Sequence, residues 1–182
     1  MRPRLLIVVA ALAAALPAVA QEGRPGPSGF PVPRYVSLRF DVVNARSGPG
    51  DDHRVLWVYR ARGLPVQVIA ETTDWRRICD PEGGVAWVHK RVTDGRRTAF
   101  RPQTDALPLR ARPEADAPVR ASWRGRSLLP LESCRDGWCR LGGGSGAGWA
   151  PASQFWGAAA GPQCRGLETP APATAPAPTA AG

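Results

Sequence analysis

From position 36 onward, apolar and polar residues alternate with a period of two. Val36, Leu38, Phe40 and Val42 interleave with Ser37, Arg39 and Asp41. Leu64, Val66, Val68 and Ala70 alternate around Pro65, Gln67 and Ile69. Trp75, Arg77 and Cys79 share one side of a third run, opposite Ile78, and Val85, Trp87 and His89 form one face of a fourth. Successive side chains of a strand point to opposite faces, so this period predicts half-buried strands. Turn signals separate the runs: Ser47-Gly48-Pro49-Gly50, Arg62-Gly63, Thr72-Thr73-Asp74, Pro81-Glu82-Gly83-Gly84 and the hairpin-type Asp94-Gly95. No window shows the 3.6-residue period of an amphipathic helix. The expected fold is all-β, with short strands and tight turns.

The strands come in two sets. Arg46 recurs as Arg110 and Pro49 as Pro113, 64 positions on. Trp75 recurs as Trp138 and Ile78 as Leu141, 63 on, and Trp87 as Trp149, 62 on. So small a drift over five landmarks means that loop lengths barely change between copies. Two small domains are expected, at residues 35–101 and 104–156, joined by a short linker around residues 100–105. Small domains bury a small share of their surface and lean on large aromatics or cross-links. Seven Trp and four Cys supply both.

The ends read differently. Residues 1–20 combine Arg2 and Arg4, a twelve-residue apolar run and small residues at 18–20, the pattern of a secretory signal peptide. The run is shorter than the about 20 residues of a membrane span, and no second one follows, so no transmembrane segment is expected after cleavage. Residues 21–34 form a Pro/Gly-rich linker, 157–168 a C-terminal segment, and 169–182 a Pro/Ala-rich tail expected to be disordered. Localisation is expected to be exported, to the periplasm or beyond. The formal charge of +9 falls to +7 without Arg2 and Arg4, and Lys90 is the only lysine. An Arg-rich surface suits anionic partners of the envelope, or is simply solvated. Export argues against a nucleic-acid partner.

The run 44–50 (Asn-Ala-Arg-Ser-Gly-Pro-Gly), the strand 64–71 (Leu-Pro-Val-Gln-Val-Ile-Ala-Glu), Asp74-Trp75-Arg76-Arg77-Ile78 and Val85-Ala86-Trp87-Val88-His89 stand in one order. Together they resemble the bacterial SH3-like domain, whose pattern is Asn-x-Arg-x-Gly-Pro, a Pro-Val-x-Val strand, Trp-x-x-Ile/Val and Gly-Trp-Val. The chain resembles in plan a group of exported proteins built from two such domains without a catalytic domain. Copy two departs: Pro108-Leu109 replaces Asn44-Ala45, and Arg112 and Glu114 replace Gly48 and Gly50. The resemblance implies tandem SH3-like β-barrels and a non-catalytic envelope module that binds peptidoglycan, usually its stem peptide. The alternative is a periplasmic protein–protein adaptor, which an apolar face including Trp123 and Trp156 would favour.

Candidate chemistry is sparse. Gly48-Pro49-Gly50 turns the chain into a loop, with positive φ open to glycine. Asn44 and Arg46 either tie down that corner or meet a ligand. Leu56 and Val58 read as the core face of their strand, which sends Trp57 and Tyr59 outward beside Asp51, Asp52 and His53 as a recognition platform. The other possibility is that domain two or the Cys164 segment covers the pair. Arg60, Arg62 and Arg76 are candidates, on charge alone, to meet stem-peptide carboxylates. The four recurring tryptophans read mostly as core or corner residues.

Cys134 and Cys139 flank an Asp136-Gly137 turn and fit a disulfide, leaving Cys79 and Cys164 as a second pair; other pairings stay open. Neither His53 nor His89 has ligand spacing to a Cys, so no metal or cofactor is expected. A cysteine peptidase needs its thiol at a helix start, and none is predicted after Cys79. The glycine run 142–148 lacks the last Gly of a serine elbow and leads into a strand, so it reads as a loop. No enzyme is expected.

Overall fold

The computed structural model describes residues 25–159 and 161–164. The signal peptide and the Pro/Ala tail lie outside the described residues. Among the described residues thirteen strands form two antiparallel sheets, each curled around its own core.

The first sheet has the order β3-β2-β6-β5-β4-β1-β7. Its strands are β1 (Arg34–Leu38), β2 (Val43–Arg46), β3 (Val55–Tyr59), β4 (Pro65–Glu71), β5 (Trp75–Cys79), β6 (Val85–His89) and β7 (Thr93–Asp94). The second has the order β10-β9-β13-β12-β11-β8. It comprises β8 (Thr98–Phe100), β9 (Leu107–Arg110), β10 (Val119–Trp123), β11 (Leu128–Arg135), β12 (Trp138–Leu141) and β13 (Gly148–Pro151). The repeat holds in register: Val36 pairs with Val66 and Ala99 with Leu129, Val43 with Tyr59 and Leu107 with Trp123. Closure matches too. Leu38 pairs with Thr93, and Phe100 forms a bridge to Trp156. Trp123 thus occupies the place of Tyr59, a correspondence the sequence offsets missed.

Both cores are mainly aliphatic. Val36, Leu38, Val66, Val68, Ile78 and Val88 fill the first; Leu107, Leu109, Leu129, Leu141 and Phe155 fill the second.

Several expectations are corrected. The first strand stops at Leu38, and Phe40 and Val42 are exposed. The domain boundary at residue 101 is overturned, because residues 98–100 pair with β11 of the second sheet. No linker occupies residues 100–105: Arg101 is buried and bonds Asp105 at 2.7 Å and Gln154 at 2.7 Å. The crossing lies instead at residues 95–97. Asp94-Gly95 is therefore not a hairpin; the Asp94 carboxylate accepts from Arg96 N at 2.9 Å and turns the chain between sheets. The described part of the Pro/Gly linker is folded as well. Pro25 bridges Pro31, and Ser28 and Arg34 both bond the nearly buried Glu71 carboxylate. Burial pushes Glu71 up, but the bonds from Arg34 and Ser28 outweigh it and hold its pKa below the usual value.

Candidate functional site

Arg46 and Arg110 tie down the same corner in the two copies. The Arg46 guanidinium donates to the carbonyls of Asp51 and His53, each at 2.9 Å, and pairs with the Asp51 carboxylate at 3.3 Å. Arg110 donates likewise to the Ala117 carbonyl at 2.8 Å. A guanidinium has five donors in a rigid fork, enough to stitch a loop's carbonyls. Gly48 and Gly50 do not have positive φ. Close approach explains them instead: a Cβ on Gly48 would lie 2.5 Å from the His53 ring, and one on Gly50 would strike the Asp52 carboxylate.

The sequence candidates fall in three places. Asp51, Asp52 and His53 are exposed in the loop that Arg46 holds. Trp57 and Tyr59 face the opposite way from that expected: they pair with buried Ala45 and Val43, while Leu56 and Val58 are 38% exposed. Every residue from 55 to 59 is apolar or aromatic, so alternation does not fix the face. Tyr59 donates to buried Asp80 at 2.9 Å, and Asp80 accepts from Glu82 N at 2.9 Å and Gly84 N at 2.8 Å. Burial, then the Asp80 charge and hydrogen bond, raise the Tyr59 pKa. Arg60 and Arg62 are exposed, whereas Arg76 is half-buried, bonded to Thr93 and 3.9 Å from Glu71. Its Nε has no hydrogen-bond partner among the described residues, and burial, then the charge of Arg34, push its pKa down.

The recurring tryptophans are not core. Trp75, Trp87, Trp138 and Trp149 are all half-buried and lie outside both core clusters. In the first sheet Trp87 pairs with Arg46 on one side and Arg77 on the other. Directly paired residues share a face, so the outer face carries a rung Arg46–Trp87–Arg77. The next rung is Trp75–His89, their rings edge to face at 5.3 Å. The second sheet repeats the first rung as Arg110–Trp149–Arg140. Arg77 and Arg140 stand 63 positions apart in the chain, the signal that would have completed the rung from sequence. Sequence reasoning missed it because recurrence alone does not separate core from surface.

Both disulfides are formed. Cys134–Cys139 crosses the Asp136-Gly137 turn, where φ is 50° and 77°, and Cys79–Cys164 anchors the C-terminal segment on the first sheet. Around the second bridge, Gln67 Oε1 accepts from the backbone N–H groups of Gln163 and Cys164 at 3.2 Å each. Among the described residues this strap covers the Gln67–Cys79 end of the outer face and leaves the Arg–Trp–Arg rung open. Among the described residues no cluster of three or more His, Cys, Asp or Glu gathers for a metal, and no helix is long and apolar enough to cross a membrane.

A family model for the bacterial SH3 domain matches residues 41–95 and again 103–157, together more than half of the chain. The chain belongs to the bacterial SH3 domain family. Each SH3 match holds one complete Arg–Trp–Arg rung. Among solved structures, the chain is similar to NlpC1 from Trichomonas vaginalis at 11% identity and TM-score 0.33, covering 80% of this chain and 50% of that one. It is similar to NlpC2 from the same organism at 11% identity and TM-score 0.33, covering 69% and 48%. The chain thus spans about half the length of these proteins. No curated protein matches it.

Proposed function

We propose that this protein is an exported, non-catalytic envelope module whose first SH3 domain recognises peptidoglycan, at the stem peptide, through the outer face around Trp87. Bacterial SH3 domains are typically cell-wall binding modules, and two disulfides suit an oxidising compartment. The observation that carries the reading is the rung itself. Arg77 is exposed and has no carboxylate partner among the described residues, beside a half-buried indole. An indole offers a flat apolar surface for a sugar or peptide, and a free guanidinium takes a carboxylate in bidentate fashion. Through Arg46 the loop bearing Asp51, Asp52 and His53 borders the same face.

A second reading, a protein partner, draws on edge strand β3, which exposes Val55, Leu56 and Val58 at 38% each. An uncovered apolar edge is a template for an added strand. The expected adaptor face does not form: Trp123 packs on the second core, and Trp156 meets Tyr35 edge to face at 5.3 Å.

The test is co-sedimentation of the purified oxidised protein with isolated sacculi at moderate salt. The expected result is retention that drops at least tenfold in Trp87→Ala with Arg77→Gln, and little in Leu56→Ser with Val58→Ser. Retention that vanishes with salt for all proteins alike reports bare charge and overturns the proposal. So does no retention at all; a partner captured through β3 then becomes the reading.

A further inference from the structure

Two hollows of about 440 and 370 Å³ adjoin at the junction of the domains, and Arg97 and Leu131 line both. Four arginines face this groove: Arg62 from the first domain, Arg96 and Arg97 from the crossing, and Arg135 from the second. Its carboxylates are Asp94, Glu132 and Asp136. Two of these are engaged, Asp94 by Arg96 at 2.8 Å and Glu132 by Arg140 at 3.2 Å. Arg62, Arg97 and Arg135 have no carboxylate partner among the described residues; Arg135 also lies over the Trp149 ring at 4.7 Å, a stack that leaves its in-plane N–H donors unused, and Asp136 stands free at the far end.

Arg97 lies at the centre. It donates to the Gly157 carbonyl at 2.6 Å and lies over the Tyr35 ring at 5.2 Å. Burial pushes its pKa down, the mark of a cation short of both water and counter-charge. The groove floor is fixed by bonds that cross the junction. Ser37 Oγ donates to the Arg96 carbonyl at 2.7 Å, and Thr98 Oγ1 donates to the Gly63 carbonyl at 2.6 Å. The Gln163 side chain adds a clamp, accepting from Gly157 N at 2.7 Å and Tyr35 Oη at 2.9 Å and donating to the Phe155 carbonyl at 3.1 Å. Preorganised donors lose little freedom on binding.

We infer that this junction groove is a second binding site, built jointly by both domains, for a short extended peptide carrying at least two carboxylates. Arg62 and Arg97 take one carboxylate where the domains meet, and Arg135 takes another further along. Leu131 between them supplies apolar contact for the backbone. An extended peptide fits because the cations are strung along two adjoining hollows rather than gathered at one point. Neither domain alone makes the site: Arg62 comes from the β3–β4 loop of the first domain and Arg135 from β11 of the second. This deepens the wall-binding reading, since stem peptides are of this chemical class, but it concerns a different surface.

The test is calorimetric titration of the full oxidised chain with synthetic L-Ala-γ-D-Glu-meso-diaminopimelate, with its fully amidated form, and with inorganic phosphate. The free acid is expected to bind at least tenfold more tightly than either comparison ligand. Arg62→Gln, whose side chain makes no internal hydrogen bond among the described residues, and Arg135→Gln, which gives up only the stack on Trp149, should each weaken it several-fold, and Arg97→Gln at least tenfold. Trp87→Ala with Arg77→Gln removes the outer-face contribution, and the binding that remains should still depend on Arg62, Arg97 and Arg135. No saturable binding, equal binding of phosphate, or indifference to all three arginine variants overturns the inference. Loss in the Arg97 variant alone also overturns it, since that result reports a disturbed junction. The two readings fail separately. Sacculi retained through Trp87 without arginine-dependent peptide binding leave the outer face standing alone. Arginine-dependent peptide binding without retention of sacculi leaves only the groove.

Discussion

The two domains carry the same rung and treat it differently. In the first, Arg77 has no acidic partner and the Trp87 ring has no stacked cation among the described residues. In the second, Glu132 holds Arg140 at 3.2 Å, and Arg135 lies over the Trp149 ring at 4.7 Å. A guanidinium stacked on an indole already occupies the surface a ligand needs. Duplication has therefore kept one platform open and satisfied the other from within. The locks differ in the same sense. The first domain ties its β5–β6 loop with the buried Tyr59–Asp80 bond, and the second ties its β11–β12 turn with Cys134–Cys139. The scaffold is shared; what stabilises each copy is local.

The sharpest way to break this comparison is to remove each disulfide separately. Cys79–Cys164 spans 85 positions and Cys134–Cys139 only 5. Chain-entropy reasoning gives about 4–5 kcal/mol for the long loop and about 2 kcal/mol for the short one. Urea unfolding of Cys79→Ser with Cys164→Ser, against Cys134→Ser with Cys139→Ser, should show that order. Equal losses would mean that the strap does not constrain the unfolded chain as described.

A smaller effect should come from Tyr59→Phe, which leaves the buried Asp80 carboxylate with its backbone donors only. A lost bond to a buried charged acceptor costs about 1–3 kcal/mol. Amide exchange should quicken around residues 80–84 and stay unchanged at 142–147. Faster exchange in both loops would show that the lock is not local to the first domain.

The smallest is spectroscopic. The chain has two tyrosines, and both belong to the first domain. Burial pushes Tyr35 up to about 12, against a smaller opposing pull from the Arg97 charge, and Tyr59 is raised further. A phenol whose folded pKa is raised stabilises the fold fully below pH 10, and that contribution fades as pH climbs from 10 towards 12. Ultraviolet titration should thus show no phenolate step near pH 10 in the native protein and one there in denaturant. A native step near pH 10 would place a tyrosine in solvent and undo the burial described.

Much of this architecture was legible before any coordinates. Period two, the near-constant offset and the turn residues suffice for tandem barrels, because alternation and turn chemistry are local. Asp136-Gly137 is legible for the same reason, as its two positive φ angles demand such a pair. The facing of β3 was not, since Leu56, Trp57, Val58 and Tyr59 offer no polar residue to mark the outside. The Ser28–Glu71 contact was invisible because its partners lie 43 positions apart and neither belongs to a pattern. The open platform needed both kinds of information: the repeat names its residues, and only the sheet register shows that they share a face.

Between the end of β7 at Asp94 and the start of β8 at Thr98 stand only residues 95–97, and three extended residues reach roughly 10 Å. With the junction also bonded and strapped, the domains behave less as beads on a string than as two marks on a ruler. For a ligand held at the outer face, the concentration it meets at the groove is set by fixed geometry rather than by a wandering linker. A polymer whose repeat matches that spacing gains avidity, and one that does not gains none. On the binding reading proposed for the two faces, the short crossing acts as a filter on polymer spacing as well as a joint.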